Sequence, residues 1–455
     1  MSTITWIQRN AASPEIVGQL SEQLRNKEAF PPVLAAILLQ RGITTYDQAK
    51  TFFRPDVSEL HDPFLMKDMD LAVDRVLAAR QKQEKILLFG DYDVDGTSSV
   101  ALMLLALREL GWMVEYYIPD RYREGYGLSY QGIEAAEQAG VSLIISLDCG
   151  IKAIEKARFA QQKGIDLIIC DHHTPGNLLP DAVAVLDPKR KDCPYPFKEL
   201  TGCGVGMKLL QALTQRLTET EGLTFDPVQA YGDLLVLSIA CDIVPIIGEN
   251  RVLAAMGLEK LRTQPLPGIR ALMDQAKDGR SWDISDLVFF LGPRINAAGR
   301  LEHASQAVEV LVGEGPQVAE LAGALHQSNE ARKELDHSMT ESALAKIAAE
   351  PKGMEKSSTV LYDTEWHKGI IGIVASRVIE THFRPTVLLT QSEEKLVGSA
   401  RSVPGFDLYQ ALDACSEHLL QWGGHKYAAG LSLNEADFPA FRDQFEEVAS
   451  CRRPE

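Results

Sequence analysis

From about residue 85 the chain alternates short apolar runs with longer amphipathic stretches. "KILLF" reads as a buried strand and "SSVALMLLALRELG" as a helix ending on Gly111. "MVEYYIP" follows as a strand and "SYQGIEAAEQAG" as a helix; then come "SLIISLD" as a strand, "KAIEKARFAQQKG" as a helix and "IDLIICD" as a strand. Apolar strands separated by helices of this length predict βαβ units and a mainly parallel sheet. Before this region, residues 1–80 read as short helices with breaks, "SPEIVGQLSEQLRN" and "PPVLAAILLQRGI" among them, while "FFRPDVSELHDPF" is loop-like. After it, residues 187–201 read as a loop. Helices follow, including "GVGMKLLQALTQRL", "VQAYGDLLVLSIACDIV" and, with a proline break, "GLEKLRTQPLPGIRALMDQA". A helical stretch over 315–350 has apolar residues Val318, Leu321, Leu325, Leu335, Met339 and Ile347 and a polar gap, "HQSNEARKE". It suits a connecting helix between domains. "PKGMEKSS" marks a boundary, and 351–455 reads as a second, smaller α/β domain. The expected architecture is therefore α/β: an N-terminal helical region (1–80), a parallel-sheet domain (81–314), the helix, and the small domain.

Composition narrows the class. The 455 residues suffice for two or three domains, and 45% hydrophobic with 7% aromatic content is ordinary for a globular protein. No apolar run is long enough to span a bilayer, and the start, "MSTITWIQRNAASPEI", lacks the features of a signal peptide, so a cytoplasmic location is expected. The seven scattered cysteines contain no C-x-x-C, which argues against a disulfide framework or zinc cluster. Cys149, Cys170 and Cys241 each adjoin an apolar run and read as small packed residues. A formal net charge of −17 disfavours nucleic-acid binding on the global average, but leaves room for a local basic groove or for phosphate held through metal ions.

The acids are not scattered. "LLFGDYDVD", "IISLDCG", "LIICDHH" and "LVLSIACDIVP" each end an apolar run in acid. In a parallel sheet the strand C-termini share one edge, where α/β proteins place ligands. Asp91, Asp93, Asp95, Asp148, Asp171, His172 and His173 should converge there; Asp242 follows a segment readable as helix or strand. If the chain is extended at Asp93 and Asp95, both side chains point the same way. Such a group stays ionised only beside cations. Carboxylates with imidazole and no thiolate suit Mn²⁺ or Mg²⁺, with donors enough for two ions, the clamp used in phosphoryl chemistry. Taken alone, a D-x-D is usually a turn or cap, and "TGCGVGM" reads as close packing at a helix start rather than a phosphate loop. Gly96 would let the chain turn, with Thr97 capping a helix from Ser98.

In order, "DYDVDGTSS", "LDCG", "DHH" and "DIVP" resemble the DHH phosphoesterase superfamily. "RYREGYGL", "FLGPRINAAGRL" and "GGHKYAAGLSL" resemble its RecJ branch, and "EWHKGIIGIVASR" with "GSARS" is similar to the associated DHHA1 domain. The resemblance spans about residues 30–445. It implies a DHH catalytic domain over 81–314 and a DHHA1 substrate-binding domain over 351–455. It implies a single-strand-specific 5′→3′ DNA exonuclease of recombination and repair, releasing 5′-mononucleotides by two-metal hydrolysis. Asp93, Asp95, Asp148, His172 and Asp242 would be metal ligands, with Asp148 bridging. Asp91 and His173 would be close supports, or ligands in some metal states, with His173 orienting the phosphate or assisting proton transfer. Arg121, Arg294, Arg300, Ser399, Arg401 and His425 would meet the substrate; Arg300 and Arg401 are favoured because "NAAGR" and "GSAR" read as small-residue loops. Tyr126 could stack on a base or serve the core. Implied partners are single-stranded DNA, single-strand-binding protein and a helicase, with no membrane.

Two other functions remain open: a phosphodiesterase for short oligonucleotides or cyclic dinucleotides, and a catalytically silent scaffold of a replication complex. Every motif acid is present, which weighs against the scaffold. The family's C-terminal OB-fold is not expected before the chain stops at "SCRRPE".

Overall fold

The computed structural model describes residues 12–451 apart from Lys27, Lys277, Asp278, Arg280, Pro351, Lys352 and Met354. The opening stretch read above for a signal peptide lies outside the described residues up to Ala11, as do part of "PKGMEKSS" and the last four residues. The chain divides into two compact units. One is the chain up to Gly292 with Ala307–Ala319; the other is Pro293–Gln306 with Glu320–Glu455.

In the first unit β1 (Lys85–Gly90), β2 (Met113–Tyr117), β3 (Val141–Leu147), β4 (Asp166–Cys170) and β5 (Ala184–Leu186) form a sheet in the order β2-β1-β3-β4-β5. Every pairing is parallel. The middle strands are apolar throughout rather than alternating because both faces are covered; Ile86, Leu88, Phe89, Ile144, Ile145, Ile168 and Ile169 are fully buried. The chain leaves β1 for β2 on one side and returns to β3 on the other. That reversal opens a crevice at the C-terminal edge between β1 and β3. β5 has only three residues, too short to show a period, and lies just before the loop expected over 187–201.

The N-terminal region forms helices Pro14–Gln23, Pro32–Gln40, Tyr46–Phe53 and Met69–Gln81, and "FFRPDVSELHDPF" contains two 3₁₀ turns, Val57–Glu59 and Pro63–Leu65. Leu20, Ala35, Leu38, Ile43 and Ala49 make its small core. A buried ion pair ties this region to the sheet domain. Lys208 Nζ lies 2.6 Å from Glu249, whose carboxylate also accepts from His61 N and the Tyr195 hydroxyl. No described helix is long and apolar enough to cross a membrane.

The second unit carries a mixed sheet of β6 (Thr359–Tyr362), β7 (Thr386–Ser392), β8 (Lys395–Arg401), β9 (Gln421–Gly424) and β10 (Ala428–Leu433), ordered β6-β7-β8-β10-β9. Only β6 and β7 are parallel. One face buries Leu396, Ala400, Leu431 and Leu433 with Phe441 and Phe445 of helix Phe438–Cys451. The long helix is Gln317–Ala349; Met339, Ala343 and Ile347 pack with Trp366, Ile371 and Val374.

Candidate metal centre

The three aspartates after β1 occupy three different backbone settings. Asp91 follows the strand and is 1% exposed. Asp93 is the N-cap of helix Val94–Glu109, its Oδ1 accepting from Gly96 N at 3.1 Å. Asp95 lies inside the first helical turn. The extended D-x-D and the helix start at Ser98 are thus corrected: the helix begins four residues earlier because Asp93, not Thr97, supplies the cap. Thr97 instead donates its hydroxyl back to Asp93 O at 2.7 Å. Gly96 is needed for closeness rather than for a turn, since a Cβ there would lie 2.4 Å from Asp91 O and 2.6 Å from Asp91 N.

Helix Gly202–Glu221 aims its N-terminus at Asp95. Gly202 N and Cys203 N donate to its two carboxylate oxygens at 2.7 and 2.9 Å, and Ser238 Oγ donates at 2.7 Å. The glycine-rich "TGCGVGM" therefore serves an internal carboxylate with the free N–H groups and positive dipole end that could have held a phosphate. A Cβ on Gly202 would lie 2.5 Å from Asp148 Cβ, so the helix approaches the centre as closely as glycine allows.

Asp148, just after β3, adopts a left-handed backbone with φ of 61°. Asp171, after β4, is satisfied by the protein itself. Its Oδ1 accepts from His172 N (2.7 Å), His173 N (3.1 Å) and His173 Nδ1 (2.8 Å), and its Oδ2 from Ile151 N (2.8 Å). Asp242 ends helix Pro227–Cys241, which settles that segment as a helix; the following Ile243 is also left-handed, with φ of 57°.

The side chains converge. His172 Nε2 lies 3.2 Å from Asp148 Oδ1 and 3.7 Å from both Asp95 Oδ2 and Asp242 Oδ2. Asp91, Asp93 and Asp148 form one set of potential ligands; Asp95, His172 and Asp242 form another; Asp148 also groups with His172 and His173, with ligand atoms within 4.8 Å in each set. Buried Asp91 Oδ1, Asp148 Oδ1 and both ring nitrogens of His172 have no hydrogen bond among the described residues. Burial followed by neighbouring carboxylates pushes Asp91, Asp93 and Asp148 upward, and Asp242 to about 8 for the same reasons. Burial pulls His172 down, keeping the imidazole neutral and able to ligate. Burial opposes charge on both Asp171 and His173, but their mutual hydrogen bond and attraction prevail, lowering the acid and raising the histidine. Orphaned carboxylate oxygens and imidazole nitrogens, without thiolates, fit hard divalent cations.

One neighbour escaped the sequence reading. Asp187, after β5, is fully buried and pushed to about 7, first by burial; the three-residue strand hid its place on the edge. Tyr126 donates its hydroxyl to Asp148 O at 2.9 Å. Arg121 stacks on Tyr92, its guanidinium carbon 4.6 Å from the ring centroid.

The other expected substrate residues belong to the second unit. Arg294 and Arg300 lie on helix Gly292–Leu301, and Arg300 Nη1 donates to Gly369 O at 3.2 Å. Ser399 and Arg401 share one face of β8, with Arg401 Nη1 donating to Ser399 Oγ at 2.9 Å. The expected small-residue loops are thus a helix and a strand. Their small residues serve packing: Ala297 and Ala298 are fully buried, and a Cβ on Gly398 would meet Leu389 at 2.9 Å. His425 is exposed between β9 and β10, its N donating to Ala428 O.

Comparison with known proteins agrees with this layout. A family model described as "DHH family, N-terminal domain" matches residues 85–239, and one for the DHHA1 domain matches 355–450. The chain is 37% identical over 404 residues to the single-stranded-DNA-specific exonuclease RecJ of Haemophilus influenzae, covering 86% of this chain and 70% of that one. The chain belongs to the RecJ family. Bacillus subtilis RecJ is 39% identical over 437 residues, 95% of this chain, but the chain spans only 54% of that relative. A crystal structure of exonuclease RecJ bound to manganese superposes with a TM-score of 0.76 at 33% identity, covering 88% of this chain and 97% of that one.

Proposed function

We propose that this RecJ-family chain is a 5′→3′ exonuclease that hydrolyses single-stranded DNA to 5′-mononucleotides with two Mn²⁺ or Mg²⁺ ions, in recombination and repair. The observation that carries this reading is the two adjoining ligand sets, Asp91–Asp93–Asp148 and Asp95–His172–Asp242, with His172 Nε2 only 3.2 Å from Asp148 Oδ1 and with buried donor atoms that no described residue satisfies. Asp91, Asp93 and Asp148 would hold one cation and Asp95, His172 and Asp242 the other. Of the two roles open to Asp91, support or ligand, its buried orphan Oδ1 favours ligand. Divalent cations bound there supply the Lewis acidity that lets water attack a phosphodiester near neutral pH.

The protein's own groups do the rest. Asp95, fixed by three donors, keeps its helix in register with the acids of β3 and β4. Asp171 raises the His173 pKa and so favours its cationic form at the partly exposed side of the cluster, where it can bind a phosphate oxygen or give a proton to the leaving oxygen. Arg121 in the first unit, and Arg294, Arg300, Ser399, Arg401 and His425 in the second, are assigned to the phosphates and the strand end. Single-strand-binding protein and a helicase are the proposed partners, and the cytoplasm the proposed location.

The test is metal-dependent release of mononucleotides from 5′-phosphorylated single strands. Asp148→Ala and His172→Ala should each abolish it; unchanged activity in both overturns the site. Activity on dinucleotides alone would favour the short-oligonucleotide phosphodiesterase, and none on any phosphodiester with Mn²⁺ present would favour the silent scaffold.

A further inference from the structure

The segment "RYREGYGL" sits at the rim of the acid cluster, and its conformation is fixed from within. Glu124 is the anchor. Its carboxylate accepts from Tyr117 Oη (2.9 Å), Asp120 N (2.8 Å) and Ser129 Oγ (2.5 Å). Glu124 N and Gly125 N both return to Asp120 O, at 2.9 and 3.2 Å. Beyond this anchor Gly125 and Gly127 are left-handed, with φ of 87° and 72°, a conformation that favours glycine. A Cβ on Gly127 would also press on Cys149 Cβ at 3.3 Å. The two glycines turn the chain so that Tyr126, between them, points its hydroxyl at the cluster.

There the hydroxyl meets two groups at once. It donates to the backbone carbonyl of Asp148, which belongs to two of the three ligand sets. Its oxygen also lies 3.3 Å from Nε2 and 3.4 Å from Nδ1 of His173, whose Nδ1 is engaged by Asp171. The two rings stand edge to face, with centroids 5.8 Å apart. Asp148 needs such a tie, since its left-handed backbone is one that non-glycine residues seldom adopt.

We propose that Tyr126 is a positioning residue of this centre: its hydroxyl pins the Asp148 backbone and the His173 ring, setting the ligand geometry before substrate arrives. The inference rests on the metal-centre reading above and goes beyond it by giving the exposed tyrosine a task at the metal rather than at a base.

Tyr126→Phe removes only the oxygen. Expected results are Mn²⁺ affinity weaker by about tenfold in titration calorimetry and kcat down by about 10- to 100-fold, the usual cost of losing a group that orients metal ligands. KM for a 5′-phosphorylated strand should stay within about twofold, because no substrate contact is removed. Glu124→Gln should shift Mn²⁺ affinity in the same direction by a smaller factor. Equal Mn²⁺ affinity in wild type and Tyr126→Phe overturns the inference. So does a wild-type kcat in Tyr126→Phe combined with a raised KM in Tyr126→Ala, which is the signature of base stacking. Failure of the metal-centre reading shows differently, as no Mn²⁺ binding by the wild type, and the inference falls with it.

Discussion

In the parallel sheet of the first unit, the chemistry-bearing residues stand beyond the last paired residue of each strand: Asp91 after β1, Asp148 after β3, Asp171 after β4. In the mixed sheet of the second unit, Ser399 and Arg401 stand within β8, their backbones paired on both sides with β7 and β10. The electrostatics differ in parallel. Carboxylates of the first unit are buried and crowded, and several oxygens have no partner among the described residues. In the second unit Arg300 and Arg401 already donate to backbone or hydroxyl oxygens, and the buried Asp336 carboxylate accepts from Arg377 Nε at 2.9 Å. The difference separates a carboxylate cluster left short of partners from basic groups whose hydrogen bonds the protein already supplies. Steric, chemical and electrostatic perturbations should therefore act very differently on the two.

The largest effect should come from Gly202→Ala. One methyl group would press on the Asp148 side chain and backbone, at 2.5 and 2.6 Å, where the helix also donates to Asp95. Overpacking of this kind costs about 1–3 kcal/mol, and a displacement of about 1 Å in a reacting group costs about 100-fold in rate. Nuclease assays and thermal melts should show both losses together. A variant with wild-type turnover would mean that the helix and Asp148 can separate without consequence, breaking the view of the first centre as rigidly assembled.

Arg401→Ala should be milder and of another kind. Loss of a charge-assisted hydrogen bond to phosphate costs about 1.5–3 kcal/mol, so kcat/KM should fall by about 10- to 100-fold, mostly through KM. The melting temperature should move little, because Arg401 bonds to Ser399 Oγ and Ala400 O on its own strand. Steady-state kinetics on 5′-phosphorylated and 5′-hydroxyl strands would check this. A large drop in stability with unchanged kcat/KM would show Arg401 to be structural.

What could be read from the sequence follows the same division. The five-residue and longer parallel strands were visible because burial on both faces makes them continuous apolar runs, and that placed Asp91, Asp148 and Asp171 on one edge. β5 was invisible at three residues, and Asp187 with it. Spacing alone could not show that Asp93 caps a helix while Asp95 lies inside it, because D-x-D is compatible with an extended chain or a first helical turn. Nor could it show that the Gly202 helix spends its N-terminus on Asp95, a contact across more than a hundred residues. In the second unit "NAAGR" and "GSAR" looked like loops because glycine and alanine carry no period of their own; their small size reflects close packing inside a helix and a strand. Asp242 was ambiguous because "LVLSIA" is buried on every side, which erases helical periodicity.

The smallest effect is a pH dependence of stability confined to the first unit when divalent ions are chelated. Asp242 is pushed from an ordinary 3.8 to about 8, and Asp91, Asp93 and Asp148 shift upward with it. Asp187, at about 7, and His173 shift the same way. A group whose folded pKa is raised binds its proton more tightly when folded, so its stabilisation is complete below the unfolded value and is lost as pH rises through the folded one. His172, shifted down, opposes this trend only weakly just above pH 6.5, where its unfolded form is already half deprotonated, and Asp171, shifted down, does not oppose it there. The chelated protein should therefore melt lower at pH 8.5 than at pH 6.5, by a few degrees at about 2–4 °C per kcal/mol. Saturating Mn²⁺ should remove the slope, since cations then replace protons at the carboxylates. In the second unit, where Asp336 is already paired, the transition seen by calorimetry should stay level over the same window. Asp242→Asn in chelator should flatten the first unit's slope in part. A chelated first unit that becomes more stable between pH 6.5 and 8.5 would mean that its carboxylates are ionised without metal, and the contrast between the two sheets would fail at its electrostatic root.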